Sequence, residues 1–163
     1  MSKTYIPYGG YWSTPFAKWQ GTLSNLNSVE LAAFIAKNEL AKRNINPSDF
    51  DMAVLGMTIP QHKSFYGTPW LMGMMGTDLV TGPTITQACA TSARCLLNTN
   101  QEIGDTAETV LVVTTDRTSN GPNVVYPDPS SPGGSPQSEN WVLDNFGHDP
   151  HAKIAMIDTA ENV

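Results

Sequence analysis

The stretch Gly82-Pro83-Thr84-Ile85-Thr86-Gln87-Ala88-Cys89-Ala90-Thr91-Ser92-Ala93-Arg94-Cys95-Leu96-Leu97 decides how the chain is read. It predicts a short strand ending at Cys89 and a helix beginning directly after it. Ala93, Leu96, Leu97 and Ile103 are spaced to form one apolar helix face. Thr91 and Ser92 are residue types that cap a first turn. A thiol at such a junction meets backbone N–H groups and the positive end of the helix dipole, and both favour the reactive thiolate. The same N–H groups would stabilise an oxyanion on a carbonyl attacked by the sulfur. Cys89 is therefore the candidate nucleophile. Simple packing is the competing reading, because free cysteine is among the most buried residue types. Cys95, inside the helical pattern between Arg94 and Leu96, reads as core filling. A disulfide between the two thiols stays open on the sequence.

Upstream, Met52-Ala53-Val54-Leu55-Gly56-Met57 is a continuous apolar run, the pattern of a buried strand, and Val110-Leu111-Val112-Val113-Thr114 is another. Thr68 to Asp78 reads as a methionine-rich, glycine-interrupted helix. An earlier helix starts at Asn27 or Ser28, with Glu30 placed for a capping box and Leu31, Phe34, Ile35 and Leu40 as its buried stripe. It fades by Asn44, and Asn46-Pro47-Ser48-Asp49 turns out of it. Tyr5-Ile6-Pro7-Tyr8-Gly9-Gly10-Tyr11 reads as a weak strand, with Ser13-Thr14-Pro15-Phe16 as a turn. Alternating strands and helices imply an α/β fold, a mostly parallel sheet with helices on both faces. Ligands on such sheets bind at the carboxyl ends of strands, where Cys89 falls. From Asn120 through Pro136 the density of proline, glycine and serine argues against regular structure. A loop of that length covers a site, makes an oligomer contact or is disordered. Asp158-Thr159-Ala160-Glu161-Asn162-Val163 reads as a helix start capped by Asp158 or Thr159.

A chain of 163 residues is one domain's worth. Its net charge of -6 offers no basic patch to neutralise phosphates, so a nucleic-acid partner is not expected. Its apolar runs fall short of a membrane span. No secretory signal is read before the cysteines, so reduced thiols in a cytoplasmic protein are the expectation. Asp144, His148, Asp149 and His151 bunch in a proline-containing loop, but neither helix nor strand fixes them as ligands, so no metal is expected. His62 reads as a surface residue, and Met72, Met74 and Met75 near Trp70 as core. No phosphate-cradling glycine motif is present.

In order and spacing, several segments resemble the N-terminal part of the thiolase family, the acetyl-CoA acetyltransferases. Ser13-Thr14-Pro15-Phe16 is similar to the family's opening Arg-Thr-Pro-Phe-Gly, and Ser28-Val29-Glu30-Leu31 to its first helix start. Thr84-Ile85-Thr86-Gln87-Ala88-Cys89-Ala90-Thr91-Ser92 falls at the nucleophile segment. Thr115-Asp116-Arg117-Thr118-Ser119-Asn120-Gly121-Pro122 falls at a Met-Glu-Ser-Met-Ser-Asn-Ala-Pro stretch, and Thr159-Ala160-Glu161-Asn162 in the covering loop region. The resemblance implies the layered thiolase fold, first half only: an α/β half-domain over 1–116 and the start of the covering loop region over 117–163. It implies that Cys89 accepts an acyl group from acyl-CoA, or from a 3-ketoacyl-CoA in the cleavage direction, and passes it to CoA or to an acetyl-CoA carbanion, with no covalently bound cofactor. It also implies a homo-oligomer, typically a dimer.

The departures carry weight too. Where the family has Cys-Gly-Ser-Gly, this chain has Cys89-Ala90-Thr91-Ser92, and side chains there narrow or redirect an acyl site. The family's histidine in Gly-His-Pro, its asparagine in Asn-Glu-Ala-Phe and its second cysteine belong to a later half. Gly147-His148-Asp149-Pro150, interrupted by Asp149, does not replace the first of them. The expectation is an N-terminal portion of a thiolase, not active alone and needing a complementary C-terminal half or chain. A non-catalytic scaffold subunit and another cysteine condensing enzyme, such as a ketoacyl-ACP synthase, are the alternatives.

Overall fold

A computed structural model describes residues 4–162. Its centre is a three-stranded parallel sheet in the order β2-β1-β3, with β1 at Met52–Gly56, β2 at Thr84–Ile85 and β3 at Val110–Thr114. The register pairs Met52 with Val110 and Gly56 with both Ile85 and Thr114. Helices α1 (Ser28–Lys42) and α2 (Thr68–Met75) pack together and against the sheet, while α3 (Thr91–Glu102) packs on all three strands. The α/β reading of the sequence, a parallel sheet with helices, is what the chain forms.

The two faces of β1 differ in kind. Ala53, Leu55 and Met57 join Val29, Ala33, Ala36 and Leu40 of α1 and Leu71, Met72 and Met75 of α2 in one core cluster, with Leu111 and Val113 of β3. Burying a large apolar side chain contributes about 1.5–3 kcal/mol, so this face carries most of the hydrophobic stabilisation. On the other face, a Cβ at Gly56 would lie 2.7 Å from Cys95 Sγ and 3.0 Å from the methyls of Thr91 and Thr114. The missing side chain is what lets α3 lie against the strand.

The stripe that α1 buries is Val29, Ala33, Ala36 and Leu40, which keeps only Leu40 of the expected one: Leu31 and Ile35 are half-buried and Phe34 is exposed. Alanines at the contact allow close helix approach, so the helix turns its smaller side chains inward. Asn27 caps α1, its side-chain oxygen accepting from the amides of Val29 and Glu30; Glu30 thus takes part through its amide. At the other end, Arg43 pairs with Glu39 at 2.6 Å, donates to the carbonyls of Gly9 and Tyr11, and lies over the Trp12 ring. Residues 5–11 are consequently an irregular segment held by Arg43 and not a strand. Asn46–Asp49 turns as expected: Asn46 accepts from Ser48 N while Asp49 accepts from Asn46 N. Helix α2 stops earlier than the sequence implied, because Gly76 adopts a left-handed φ of 102° and returns its amide to Met72.

Past the sheet, the proline-rich segment is more ordered than composition indicated. Asn123–Tyr126 (β4) and Gln137–Asn140 (β5) form an antiparallel pair. The connection is held by Asp128, whose carboxylate takes the Ser130 amide and hydroxyl and the Gln137 side chain. Short-range side-chain bonds of this sort let polar turn residues replace buried contacts. Leu143–Gly147 (α4) and Met156–Glu161 (α5) follow. Helix α5 starts before Asp158, which accepts from Ala155 N from inside the first turn and so is not the cap residue. Among the described residues, no helix is long and apolar enough to cross a membrane.

Gly56→Ala should push α3 off β1 and lower unfolding stability by roughly 1–3 kcal/mol, the usual cost of overpacking; urea unfolding measures it. Asp51 offers a pH test. Its carboxylate accepts from the amides of Thr109 and Glu108 and from the Thr109 hydroxyl, tying the starts of β1 and β3. Those bonds, the Thr109 amide foremost, hold its pKa below the ordinary carboxylate value. A depressed acid stabilises fully above its unfolded pKa and loses that contribution as pH falls through its folded one. The Tm advantage of the wild type over Asp51→Asn should therefore be present at neutral pH and vanish in acid.

Candidate active site

The carboxyl ends of the three strands meet at one rim. After β1 come Met57, Thr58 and Ile59; after β2, Thr86, Gln87, Ala88 and Cys89; after β3, Thr115 and Asp116. A cavity of about 650 Å³ opens there, lined by Cys89, Ser92 and Gly56, by residues 113–119 and 12–19, and by Leu31 and Ile35 of α1. The half-buried apolar residues of α1 thus look into this space. The segment beside it is fastened to the loop after β3: Gln20 N donates to Ser119 Oγ at 2.7 Å, and Arg117 donates to the Leu26 carbonyl. A smaller hollow of about 370 Å³ lies at the amino-terminal end of the sheet, beside Asp51 and residues 104–108. Neither cysteine lines it.

Cys89 is exposed, and Cys95 is fully buried; both are free thiols. Burial pushes the Cys95 thiol pKa up, so that thiol is packing in fact as in expectation. The strand preceding Cys89 is shorter than the sequence implied: it ends at Ile85, and a 3₁₀ turn over Ala88–Ala90 carries Cys89 into α3. The helix cap is Ala90, without a side-chain bond. Thr91 works backwards instead, its hydroxyl accepting from Gln87 N at 2.8 Å and donating to the Ala88 carbonyl at 2.7 Å. Ala88 itself has φ +46°, a left-handed conformation that costs a non-glycine residue of order 1 kcal/mol. The hydrogen bonds on either side of Ala88 are what hold it there.

The side of α3 on the sheet is Thr91, Cys95 and Thr99, one residue per turn, whereas Leu96 and Leu97 are about half exposed. The expected apolar face is therefore the outer one. The physical reason is the glycine beneath: α3 sits so close to β1 that only small side chains fit between them.

Sequence reading missed Thr58 and Asp116. Asp116 accepts from Thr58 N and Ile59 N at 2.9 and 2.8 Å, bridging the ends of β3 and β1. Thr58 Oγ1 lies 3.2 Å from the Ala88 carbonyl and 3.1 Å from Thr91 Oγ1. Each follows a parallel strand by two residues, which is the signal that finds them, since that rim is where such sheets bind ligands. The aspartates near the chain's end serve the backbone. Asp144 accepts from Asn140 N and Asp149 from His151 N and Ala152 N, which lowers the Asp149 pKa. Among the described residues, no group of three or more His, Cys, Asp or Glu is placed to hold a metal. His62 is exposed; Met72 and Met75 are buried, and Met74 is exposed beyond the core.

The family model described as the thiolase N-terminal domain matches residues 11–163. Among solved structures, human mitochondrial 3-ketoacyl-CoA thiolase in complex with CoA matches with a TM-score of 0.80 and 25% identity, covering 91% of this chain and 39% of that one. An acetyl-CoA acetyltransferase from Syntrophomonas wolfei matches with a TM-score of 0.78 at 21% identity, over 91% of this chain and 38% of that one. That from Bacillus anthracis gives 0.72 at 22%, over 90% and 38%. A comparison with curated proteins finds none that matches. The chain thus spans between 38% and 39% of the length of these structures.

The contrast between the thiols is measurable. Iodoacetamide at neutral pH should label the Cys89 peptide at least about ten-fold faster than the Cys95 peptide, because access and thiolate fraction set the rate. Quantifying both peptides over time by mass spectrometry checks this.

Proposed function

The chain belongs to the thiolase family by its N-terminal domain, and on that premise we propose that Cys89 is an acyl-accepting nucleophile working on CoA thioesters. The observation that carries the proposal is the placement of one exposed thiol on a strained turn, beside a cavity at the carboxyl rim of a parallel sheet. Its sulfur attacks the thioester carbonyl. A new carbon–sulfur bond forms, the carbonyl electrons move onto oxygen, and their return breaks the bond to CoA sulfur. The thiol proton leaves with CoA. In the condensing direction the acyl group then passes to the carbanion of acetyl-CoA. In the cleavage direction the sulfur instead attacks the 3-keto carbonyl of a 3-ketoacyl-CoA, the C2–C3 bond breaks, and the carbanion left on acetyl-CoA takes up the thiol proton. The acyl group then passes to the thiol of a second CoA. Splitting the reaction at a covalent intermediate replaces one difficult step by two easier ones.

By resemblance, the groups that move the protons and hold the oxyanion belong to a C-terminal thiolase half, and we assign them to further polypeptide that completes the site. Residues 1–116 are in this proposal the first α/β half-domain, and the β4–β5 hairpin and later helices belong to the covering region over 117–163. Leu96 and Leu97, turned away from the sheet on α3, are apolar surface that such a half would cover. A cytoplasmic homo-oligomer completes the reading. Ala90 and Ser92, in place of the family's two glycines, shape an acyl site different from that of the acetoacetyl-CoA enzymes.

Incubation with an acyl-CoA, with the complementary half supplied, should add one acyl mass to the Cys89 peptide and none to the Cys95 peptide. Cys89→Ser should abolish the adduct. Two equally sluggish thiols and no acyl mass would leave a non-catalytic scaffold role instead.

A further inference from the structure

We propose that Thr58 and Thr91 are positioning residues: their hydroxyls hold the Ala88 carbonyl, and with it the left-handed turn that presents Cys89. The inference deepens the acyl-transfer reading and rests on it. The strained residue and the nucleophile are adjacent, so whatever fixes the peptide plane between them fixes the direction of the Cys89 side chain. Three donors meet around this turn. Thr91 Oγ1 accepts from Gln87 N at 2.8 Å and gives its only proton to the Ala88 carbonyl at 2.7 Å. Thr58 Oγ1 stands 3.2 Å from the same carbonyl and 3.1 Å from Thr91 Oγ1. A carbonyl has two lone pairs and a hydroxyl can accept twice, so Thr58 satisfies either site without competing with Thr91.

The supports of these hydroxyls are themselves fixed. Thr91 is buried, its methyl against Gly56, and belongs to α3. Thr58 is held by its amide on the Asp116 carboxylate, so the end of β3 reaches the turn through the end of β1. Gln87 is held from outside by Arg94, which donates to its side-chain oxygen at 2.7 Å. Each strand of the sheet thus contributes a tie to the turn, and the turn contributes the thiol. Asp116 and Arg94, the charged groups in this arrangement, remain in place when either hydroxyl is removed.

The test compares Thr91→Val and Thr58→Val, which delete a hydroxyl at nearly constant shape, with Thr91→Ser, which keeps it. Rates are read for iodoacetamide on the Cys89 peptide and for acyl loading from acyl-CoA with the complementary half present. Each valine variant should load the acyl group about ten-fold more slowly, because a misplaced reacting group loses rate by up to ~10²-fold per ångström, and should alkylate more slowly as access to the sulfur changes. Thr91→Ser should restore the rate. Folded valine variants that react at the wild-type rate would overturn the proposal, as would a serine variant as slow as the valine one. Where Thr91→Val does not fold, Thr58→Val decides alone, since it leaves buried Thr91 intact. Failure of the acyl-transfer reading looks different: Cys89 of the wild type takes the alkyl group and no acyl group, while the valine variants still slow alkylation.

Discussion

Gly56 allows α3 to lie directly on β1, and the candidate site depends on that close approach. A single Cβ at this position would meet the Cys95 sulfur and the methyls of Thr91 and Thr114 at 3.0 Å or less. Both Cys95 and Thr91 belong to α3, so any outward shift of the helix carries its first turn with it. Cys89 stands immediately before that turn. The buried cysteine is thus packed and the exposed one is presented at the rim cavity, and the same contact sets both positions.

The rim above Gly56 is polar where the rest of the sheet is apolar. A left-handed alanine is unfavourable by about 1 kcal/mol, and a net hydrogen bond in a protein contributes about as much. Several bonds converge on the turn: from Thr91, from Thr58 and through the Gln87 amide. They outweigh the strain together, whereas one of them alone would only balance it. The turn is stable because it is tied from several elements, and its stiffness follows from the same ties.

Large and small side chains are placed on opposite sides of β1. The large side chains of α1, α2 and the sheet form the hydrophobic cluster, while the face toward α3 is built from small groups. The loops after the strands are held by specific polar bonds, as in the Asp116 bridge and the Ser119 and Arg117 contacts to the N-terminal segment. Leucines on the outer side of α3 and aromatic residues such as Phe65 and Tyr66 remain exposed.

The sequence by itself determined the order of the strands and helices. Continuous apolar runs at Met52–Met57 and Val110–Thr114 mark buried parallel strands whatever surrounds them. It also marked Cys89 as a candidate and Cys95 as packing, since position relative to a helix start is a local property. Order of segments gave the thiolase resemblance. What only the tertiary structure decided depends on partners distant in sequence. The rotation of α1 followed from alanines meeting α2, and the inward face of α3 from a glycine in β1. Residues 5–11 lost their strand to the pull of Arg43. The hairpin in the proline-rich segment relies on register between strands that composition does not record. Thr58, Thr91 and Asp116 are brought together at the turn preceding Cys89 because three parallel strands end together, and periodicity along one chain carries no information about where neighbouring strands stop.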